Sequence, residues 1–593
     1  MQLKRTFDIV DHCLFHYPNE DLLFRRKNGI WTSLSSNNLS DQVNYLSAAL
    51  LSQGVKSNEN VATIFSYNAY EWNIIDLALA QIGAVHLPVY PTISDSDYLF
   101  ILNQAEIRSV FVSDQVIYNK ISGLLRDLPL LESIISIEKL LNVKYFEDFL
   151  NYGREIFDAY KKQIEKIKAG IRADRICSII YTSGTTGFPK GVMLTHENFC
   201  TNLLAAASLQ PLEKGEKVLS FLPLCHAYER MAVYQSLYKG IKVYYADSFK
   251  SILIDMQVVQ PAGTTVVPRV LEKIVKGVLT NAKESFFVKR WIIKWSVDFG
   301  FKYRIYTRKG LIKRLKLFLA DKIVYRHVRT LLGGKLKYVG CGGAPVRKEI
   351  ERFFWAAGVP VYEGYGLTEC SPLVCLNFKG RNNIVVGTVG PVIPDVQVKI
   401  ADDGEILVRG PNLMKGYYKN PELTVQTIVD GWLHTGDLGR IIANRFLKIK
   451  GRKKEMFKTS YGKYIVPQAI ENKFIESAII DQIMIIGEGK HCAAAIISPD
   501  FNHFSEIMDD KELTDKDQMI NHPGLVRLIN KEIEKVNRQL GKTEQIKKYF
   551  IVPDTWTTES GEISATHKLR RNIILHKYSL HIRDLFKEDS FDE

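Results

Sequence analysis

The residues best equipped for chemistry form one run, Tyr181-Thr182-Ser183-Gly184-Thr185-Thr186-Gly187-Phe188-Pro189-Lys190-Gly191. Its hydroxyls are hydrogen-bond donors. Gly184 and Gly187 let backbone N–H groups approach an oxyanion, and Lys190 adds a mobile positive charge. The apolar run Ile176 to Ile180 ahead of it reads as a buried strand. A strand opening into such a loop suits phosphate. The spacing is not that of the usual nucleotide loop, in which Lys-Ser or Lys-Thr follows the last glycine directly. The competing reading is a flexible Gly/Thr surface turn, which does not need these eleven residues in this order.

Further strings carry related chemistry. Glu363-Gly364-Tyr365-Gly366-Leu367-Thr368-Glu369 sets an aromatic ring between glycines, able to stack on a base. Beside it stand a hydroxyl and a carboxylate, oxygen donors of the kind Mg²⁺ prefers. Asp430-Gly431-Trp432-Leu433-His434-Thr435-Gly436-Asp437 ends on a carboxylate that can accept from two ribose hydroxyls, the logic of the acidic residue in dinucleotide sites. Gly342-Gly343-Ala344-Pro345 has little side chain and admits a flat ring or an acyl chain close to the backbone. Phe221-Leu222-Pro223-Leu224-Cys225-His226-Ala227-Tyr228-Glu229-Arg230 and Gly561-Glu562-Ile563-Ser564-Ala565-Thr566-His567-Lys568-Leu569-Arg570 complete the set. Taken alone, His226 would be a structural histidine and Lys568 a surface charge.

In their order along the chain the strings resemble the signatures of the AMP-forming acyl-adenylate enzymes: acyl-CoA synthetases, adenylation domains and luciferases. The resemblance covers nearly the whole chain. It implies ATP, Mg²⁺ and CoA as cofactor and co-substrates. Thr182, Ser183, Gly184, Thr185, Thr186, Gly187 and Lys190 would hold phosphates, and Thr185 and Glu369 the metal. Gly343, Ala344, Glu363, Gly364 and Gly366 would shape the nucleotide slot. Tyr365 would stack on adenine, Thr368 contact the α-phosphate, and Asp437 with Arg452 reach the ribose. His226 would border the acyl and adenylate pocket, and Lys568 would match the C-terminal catalytic lysine. Lys454 matches the hinge, and Gly462 a neighbour of pantetheine. The His-x-Tyr-Glu-Arg ending of the fourth string resembles the long-chain branch and implies a long-chain fatty acid substrate. Many relatives have Thr-x-x-Gly-Lys where this chain has Ala-Thr-His-Lys. Transfer to a carrier-protein thiol, release of the adenylate itself, a luciferase-like oxidation and a non-catalytic lipid or nucleotide sensor are the rival readings.

Composition sets the bounds. The chain has 593 residues, 46% hydrophobic and 24% charged, enough for several cores and more than one domain. No run approaches the ~18 apolar residues of a membrane span. Met1 to Val10 lacks the apolar core of a signal peptide. The eight cysteines form no C-x-x-C pair and read as reduced residues of a cytoplasmic protein. The net charge of +14 is concentrated in 285–330, where thirteen Lys or Arg face Asp298 and Asp321 among interleaved aromatics. Such a segment is either a solvated helical face with its aromatics turned inward, or a peripheral contact with an anionic membrane. Nucleic acid has no other support. A homodimer is carried as an open option.

Around these strings the chain alternates strand and helix. Val61 to Phe65, Val85 to Tyr90 and Ser109 to Ser113 read as strands. Trp72, Ile75, Leu79 and Ile82 recur at helical spacing, with Asn68 as cap and Glu71 completing a capping box. Tyr98 to Ala105 reads as a short helix and Leu336 to Val339 as a strand. The pattern predicts an α/β protein with doubly wound, mostly parallel sheets in a large domain, 1–450. Within it a β-rich subdomain occupies about 380–450, with strands at Gln397 to Ile400, Glu405 to Arg409 and Phe446 to Ile449. A hinge at 451–455 leads into a smaller α+β domain, 456–593. There a helix is expected at Pro467 to Glu476, a hairpin about Gly487-Glu488-Gly489, and a helix through Ile529, Ile533, Val536 and Leu540.

Overall fold

The computed structural model describes residues 3–27, 29–182, 189–248, 251–283, 287–307, 310–460, 464–474, 477–508, 515–558, 560–564 and 569–587. Two eight-stranded sheets dominate. In the first, Val85–Val89, Asn60–Ile64, Ser109–Val112 and Ser133–Ser136 run parallel. Ile176–Thr182 joins Val85–Val89 on the other side, also parallel. In the second, Asp21–Lys27, Lys242–Tyr245, Lys217–Ser220, Gly263–Val266, Tyr338–Cys341 and Val361–Gly366 are parallel, with antiparallel strands at both edges. Parallel strands covered on both faces require near-continuous apolar runs. Val61, Ala62 and Ile64, and Cys177, Ile179 and Ile180, are all buried. The predicted doubly wound class is the observed one.

A five-stranded antiparallel sheet follows, built from Gln397–Ile400, Glu405–Arg409, Ile428–Val429, Trp432–Ile442 and Phe446–Arg452. Nearer the C-terminus, Ile480–Ile486 and Ala493–Pro499 form a hairpin. Ile546–Ile551 returns parallel to the second strand after the Pro523–Asn537 helix. That helix packs Leu525, Ile529, Ile533 and Val536 on the sheet and ends at Asn537, three residues short of the expected Leu540.

Several local expectations are corrected. The helix bearing Trp72 runs Tyr70–Gln81 with Ala69 at its cap and no side-chain capping bond. Asn68 instead donates across to Leu222 O at 2.7 Å, and Glu71 pairs with Arg25 at 2.6 Å. Both side chains are buried, and a buried polar group bonds whatever closes its shell, here across the sheets rather than along the chain. The next helix begins at Asp95 because Ser94 accepts from the Asp97 N–H, so it starts three residues before Tyr98. The strand expected from Leu336 lies at Tyr338–Cys341, and the helix from Pro467 ends at Glu471.

The basic segment contains two helices of opposite character, followed by helical turns at Asp321–Tyr325 and Arg326–Leu331. In Phe287–Phe301, Trp295 and Phe299 pack partly buried on the core beside Val297. In Leu311–Ala320 the side chains of Leu311, Ile312, Leu315, Phe318 and Leu319 are exposed, Leu311 by 84%, beside exposed Lys313, Arg314 and Lys316.

One buried network joins the sheets. Asp76, on the Tyr70–Gln81 helix, accepts from Arg230 Nη2 at 2.7 Å and from the Tyr234 hydroxyl. It pairs with His86 Nδ1 at 2.7 Å, while His86 Nε2 lies 2.8 Å from Thr63 Oγ1. Burial alone would raise the Asp76 carboxyl; Arg230 and then His86 overcome it and hold the carboxyl below the usual range. The Arg230 guanidinium also lies 4.2 Å over the Phe199 ring. Replacing Asp76 by Ala strands a buried guanidinium. The expected loss is about 3–5 kcal/mol of unfolding free energy. Breaking the exposed Lys419–Glu106 pair is expected to cost under ~1 kcal/mol. Urea unfolding of the two variants checks the contrast.

Candidate active site

Ligands of doubly wound sheets bind beyond the carboxyl ends of the strands. Here those ends deliver the residues singled out from sequence. Ile176–Thr182 leads into the glycine–threonine loop, and Lys190–Thr195 returns antiparallel from it, with Thr182 and Lys190 as cross-strand partners. Ser183, Gly184, Thr185, Thr186 and Gly187 lie outside the described residues, as do Gly462 and Lys568. Lys190 Nζ sits 5.6 Å from the centre of the Tyr417 ring, and the Tyr417 hydroxyl donates to Glu369 Oε1 at 3.0 Å. Burial first, then the Glu369 charge, pushes the Tyr417 phenol up, so it stays a donor. Sequence analysis missed Tyr417. It lies outside every recognised string, in a two-residue strand paired to the return strand of the loop.

The second cluster gathers residues far apart in sequence. Val361–Gly366 carries Glu363, Gly364, Tyr365 and Gly366, and a turn at Thr368–Cys370 carries Thr368 and Glu369. A Cβ on Gly366 would fall 1.8 Å from Pro372 O, so no side chain fits there. The Tyr365 hydroxyl donates to Asp437 Oδ2 at 2.7 Å, and Arg452 Nε lies 3.2 Å from Asp437 Oδ1. Asp437 and Arg452 are register partners on Trp432–Ile442 and Phe446–Arg452. Burial tends to lower the Arg452 guanidinium, but Asp437, Glu455 and Glu369 raise it above its ordinary value. One carboxylate thus ties together the ring, the carboxylate and the arginine that were singled out separately. Lys454 follows in the Lys453–Glu455 turn.

The third side is the acyl-facing wall suggested by the resemblance. His226 caps the Ala227–Tyr238 helix, its Nδ1 accepting from the Tyr228 N–H at 3.2 Å, and its ring stands edge-on to Tyr90 at 6.3 Å. A Cβ on Gly342 would meet the Tyr228 ring at 3.7 Å and Gly364 O at 3.8 Å. Gly342 therefore lies between Tyr228 and the tyrosine-bearing strand with room for a Cβ, and Gly343 takes φ +83°. Glu229 and Arg230 turn away from this wall. Thr265 donates to Glu229, whose carboxyl burial pushes up to about 7. The signal for their burial was their place in an otherwise apolar helix.

Beneath the Tyr365 strand, Glu363 Oε1 accepts from the Val346 N–H at 2.9 Å and Glu351 Oε2 from the Gly387 N–H at 3.1 Å. The other oxygen of each has no protein partner. Burial pushes Glu351 up to about 8; burial, then the Glu351 charge, pushes Glu363 up to about 8. Folded pKa values above the unfolded ones favour the protonated fold. Its stability is complete below about 4.5 and is lost as pH rises through about 8. Glu363→Gln removes one such group. Wild type is expected to lose stability relative to this variant between pH 5 and 8, by ~1 kcal/mol per pH unit at the steepest. Denaturation midpoints at several pH values check the sign.

The strand-end loops and the cluster about Asp437 stand where the sequence strings resemble the adenylate-forming enzymes, and comparison with known proteins shows that class. A family model described as AMP-binding enzyme matches residues 12–418, and one described as AMP-binding enzyme C-terminal domain matches 455–590. The chain belongs to the AMP-binding enzyme family. It is 30% identical over 599 residues, 98% of each chain, to the long-chain-fatty-acid–CoA ligase FadD15 of Mycobacterium bovis. It is 30% identical over 620 residues, 98% of this chain and 89% of the other, to long-chain-fatty-acid–CoA ligase 5 of Rattus norvegicus. It shares its fold with a Mycobacterium tuberculosis fatty acyl CoA synthetase, at TM-score 0.61 and 18% identity over 98% of this chain and 99% of that one.

Proposed function

We propose that this chain converts ATP, a long-chain fatty acid and CoA to acyl-CoA, AMP and diphosphate through an acyl-adenylate. The observation that carries the reading is the meeting of Tyr365, Asp437 and Arg452 in one bonded cluster. The names of relatives aligned over nearly the whole chain support it.

In the first step an oxygen of the fatty acid carboxylate attacks the α-phosphorus of ATP. The bond to diphosphate breaks, and acyl-AMP forms. The substrate supplies the nucleophile, so the protein has to position groups and neutralise charge. Tyr365 stacks on adenine in the slot shaped by Gly343, Ala344, Glu363, Gly364 and Gly366. Asp437 and Arg452 hold the ribose, and the Tyr365–Asp437 bond exchanges for bonds to ribose hydroxyls. The loop from Thr182 to Gly187, with Lys190 and Lys568, holds the phosphates, and Thr368 contacts the α-phosphate. His226 borders the acyl carbonyl.

Among the described residues no group of three His, Cys, Asp or Glu could cage a metal. Mg²⁺ takes one or two carboxylates and completes its shell with substrate phosphates and water. Glu369 and Thr185 would hold it, and bound there it would offset charge on the leaving diphosphate. In the second step the CoA thiol attacks the acyl carbon and AMP leaves. Lys454 is the pivot, and Gly462 comes to the pantetheine arm. Purified protein with ATP, Mg²⁺ and palmitate is expected to release AMP and form palmitoyl-CoA only when CoA is added. Adenylate without thioester would point to a carrier-protein acceptor, and no adenylate with any acid would favour the sensor.

A long-chain acid brings roughly 0.8 kcal/mol of binding per buried CH₂ and partitions into bilayers. The proposal includes peripheral contact with an anionic membrane through 285–330, centred on the Leu311–Ala320 helix. Five exposed apolar side chains beside Lys313, Arg314 and Lys316 are more than a monomer's surface usually leaves open. Sedimentation with anionic vesicles is expected to fall several-fold for Leu315→Glu with Phe318→Glu, and to fall with Lys313, Arg314 and Lys316 all changed to Gln. Unchanged sedimentation overturns the contact, and a mass shift from dimer to monomer would assign the face to a second copy.

A further inference from the structure

Arg570 stands two residues after Lys568, and its guanidinium leaves its own domain. Arg570 Nη1 lies 3.3 Å from Asp97 Oδ2, and both side chains are largely covered, 17% and 15% exposed. Asp97 belongs to the Asp95–Gln104 helix. Its neighbour Tyr98 donates to Tyr90 O at 2.9 Å, and the Tyr90 ring faces His226. A chain of direct contacts thus runs from Arg570 to the wall of the candidate site.

Behind Arg570 the anchoring is firm. Its N–H donates to Glu562 O at 2.7 Å, Ile563 and Leu569 form an antiparallel bridge, and Arg571 bonds Glu471 and, at 3.0 Å, Ile485 O. Arg570 is thus rooted in the C-terminal sheet. Another ion pair across these parts, Arg269 with Asp481, is longer, at 3.7 Å, and more exposed.

We propose that the Arg570–Asp97 ion pair is a latch that holds the C-terminal domain in the orientation serving adenylation and opens before thioester formation. Arg570 and Asp97 are positioning residues, and the inference rests on the ligase reading above. A partly exposed pair of this kind biases an equilibrium by about fivefold at most, weak enough to release in every cycle.

Asp97→Asn and Arg570→Gln are each expected to slow palmitate-dependent ATP–pyrophosphate exchange about three- to fivefold. Thioester formation from supplied palmitoyl-adenylate and CoA should be unchanged or faster. The swap Asp97→Arg with Arg570→Asp should recover most of the exchange. Equal loss in both half-reactions, no loss in either, or a swap that fails to recover overturns the latch. A readout independent of substrate uses spin labels at Val116→Cys and Leu580→Cys, 73% and 66% exposed in wild type. The wild-type distance distribution should be narrow, and Asp97→Asn should broaden it. An unchanged distribution overturns the latch, whereas a wild type that adenylates no acid overturns the ligase reading and leaves the distance test to decide the latch.

Discussion

The arrangement depends on one buried carboxylate. Asp76 stands on a helix of the first sheet and holds Arg230, on a helix of the second, while His86 and Tyr234 fill its remaining bonds. Two parallel sheets wrapped in apolar helices have no intrinsic reason to prefer one relative placement, because hydrophobic contact is non-directional. A guanidinium that must meet its only carboxylate removes that freedom. Arg230 lies one turn beyond His226, so the pairing also fixes the helix whose first turn forms a wall of the site.

The site itself is built from exchangeable bonds. Asp437 is occupied by a tyrosine hydroxyl and an arginine, and Glu369 by another tyrosine. Under the proposed function, Asp437 and Glu369 are thereby kept in place by protein partners of modest strength until ribose hydroxyls and a metal ion take their place. Binding then exchanges one hydrogen bond for another and avoids ordering loose side chains. Gly366 serves the same end by excluding a side chain where its strand meets Pro372.

Much of this was legible in the sequence, and the failures share a cause. Periodicity gave the helices through Trp72 and Ile529 and the strands about Ile64 and Ile180, because burial on both faces leaves an apolar signature. The strings about Tyr365 and Asp437 pointed to base and ribose, and the structure brings them into contact. Asn68 and Glu71 were read as a local cap, yet both bond residues distant in sequence. Tyr417 gave no sign, since its place beside Lys190 and Glu369 arises from sheet pairing between segments more than two hundred residues apart. Local rules describe groups that satisfy themselves locally, and buried polar groups seldom do.

The cross-strand pairing of Thr182 with Lys190 has a consequence for how this chain tolerates insertion and deletion. The ladder below the loop, and not the loop, sets the position of the lysine. A single residue added within Lys190–Thr195 would instead turn every following side chain to the opposite face, sending buried Val192 and Leu194 to the other side of the sheet. Length variation among descendants of this sequence is therefore expected to be absent from that stem.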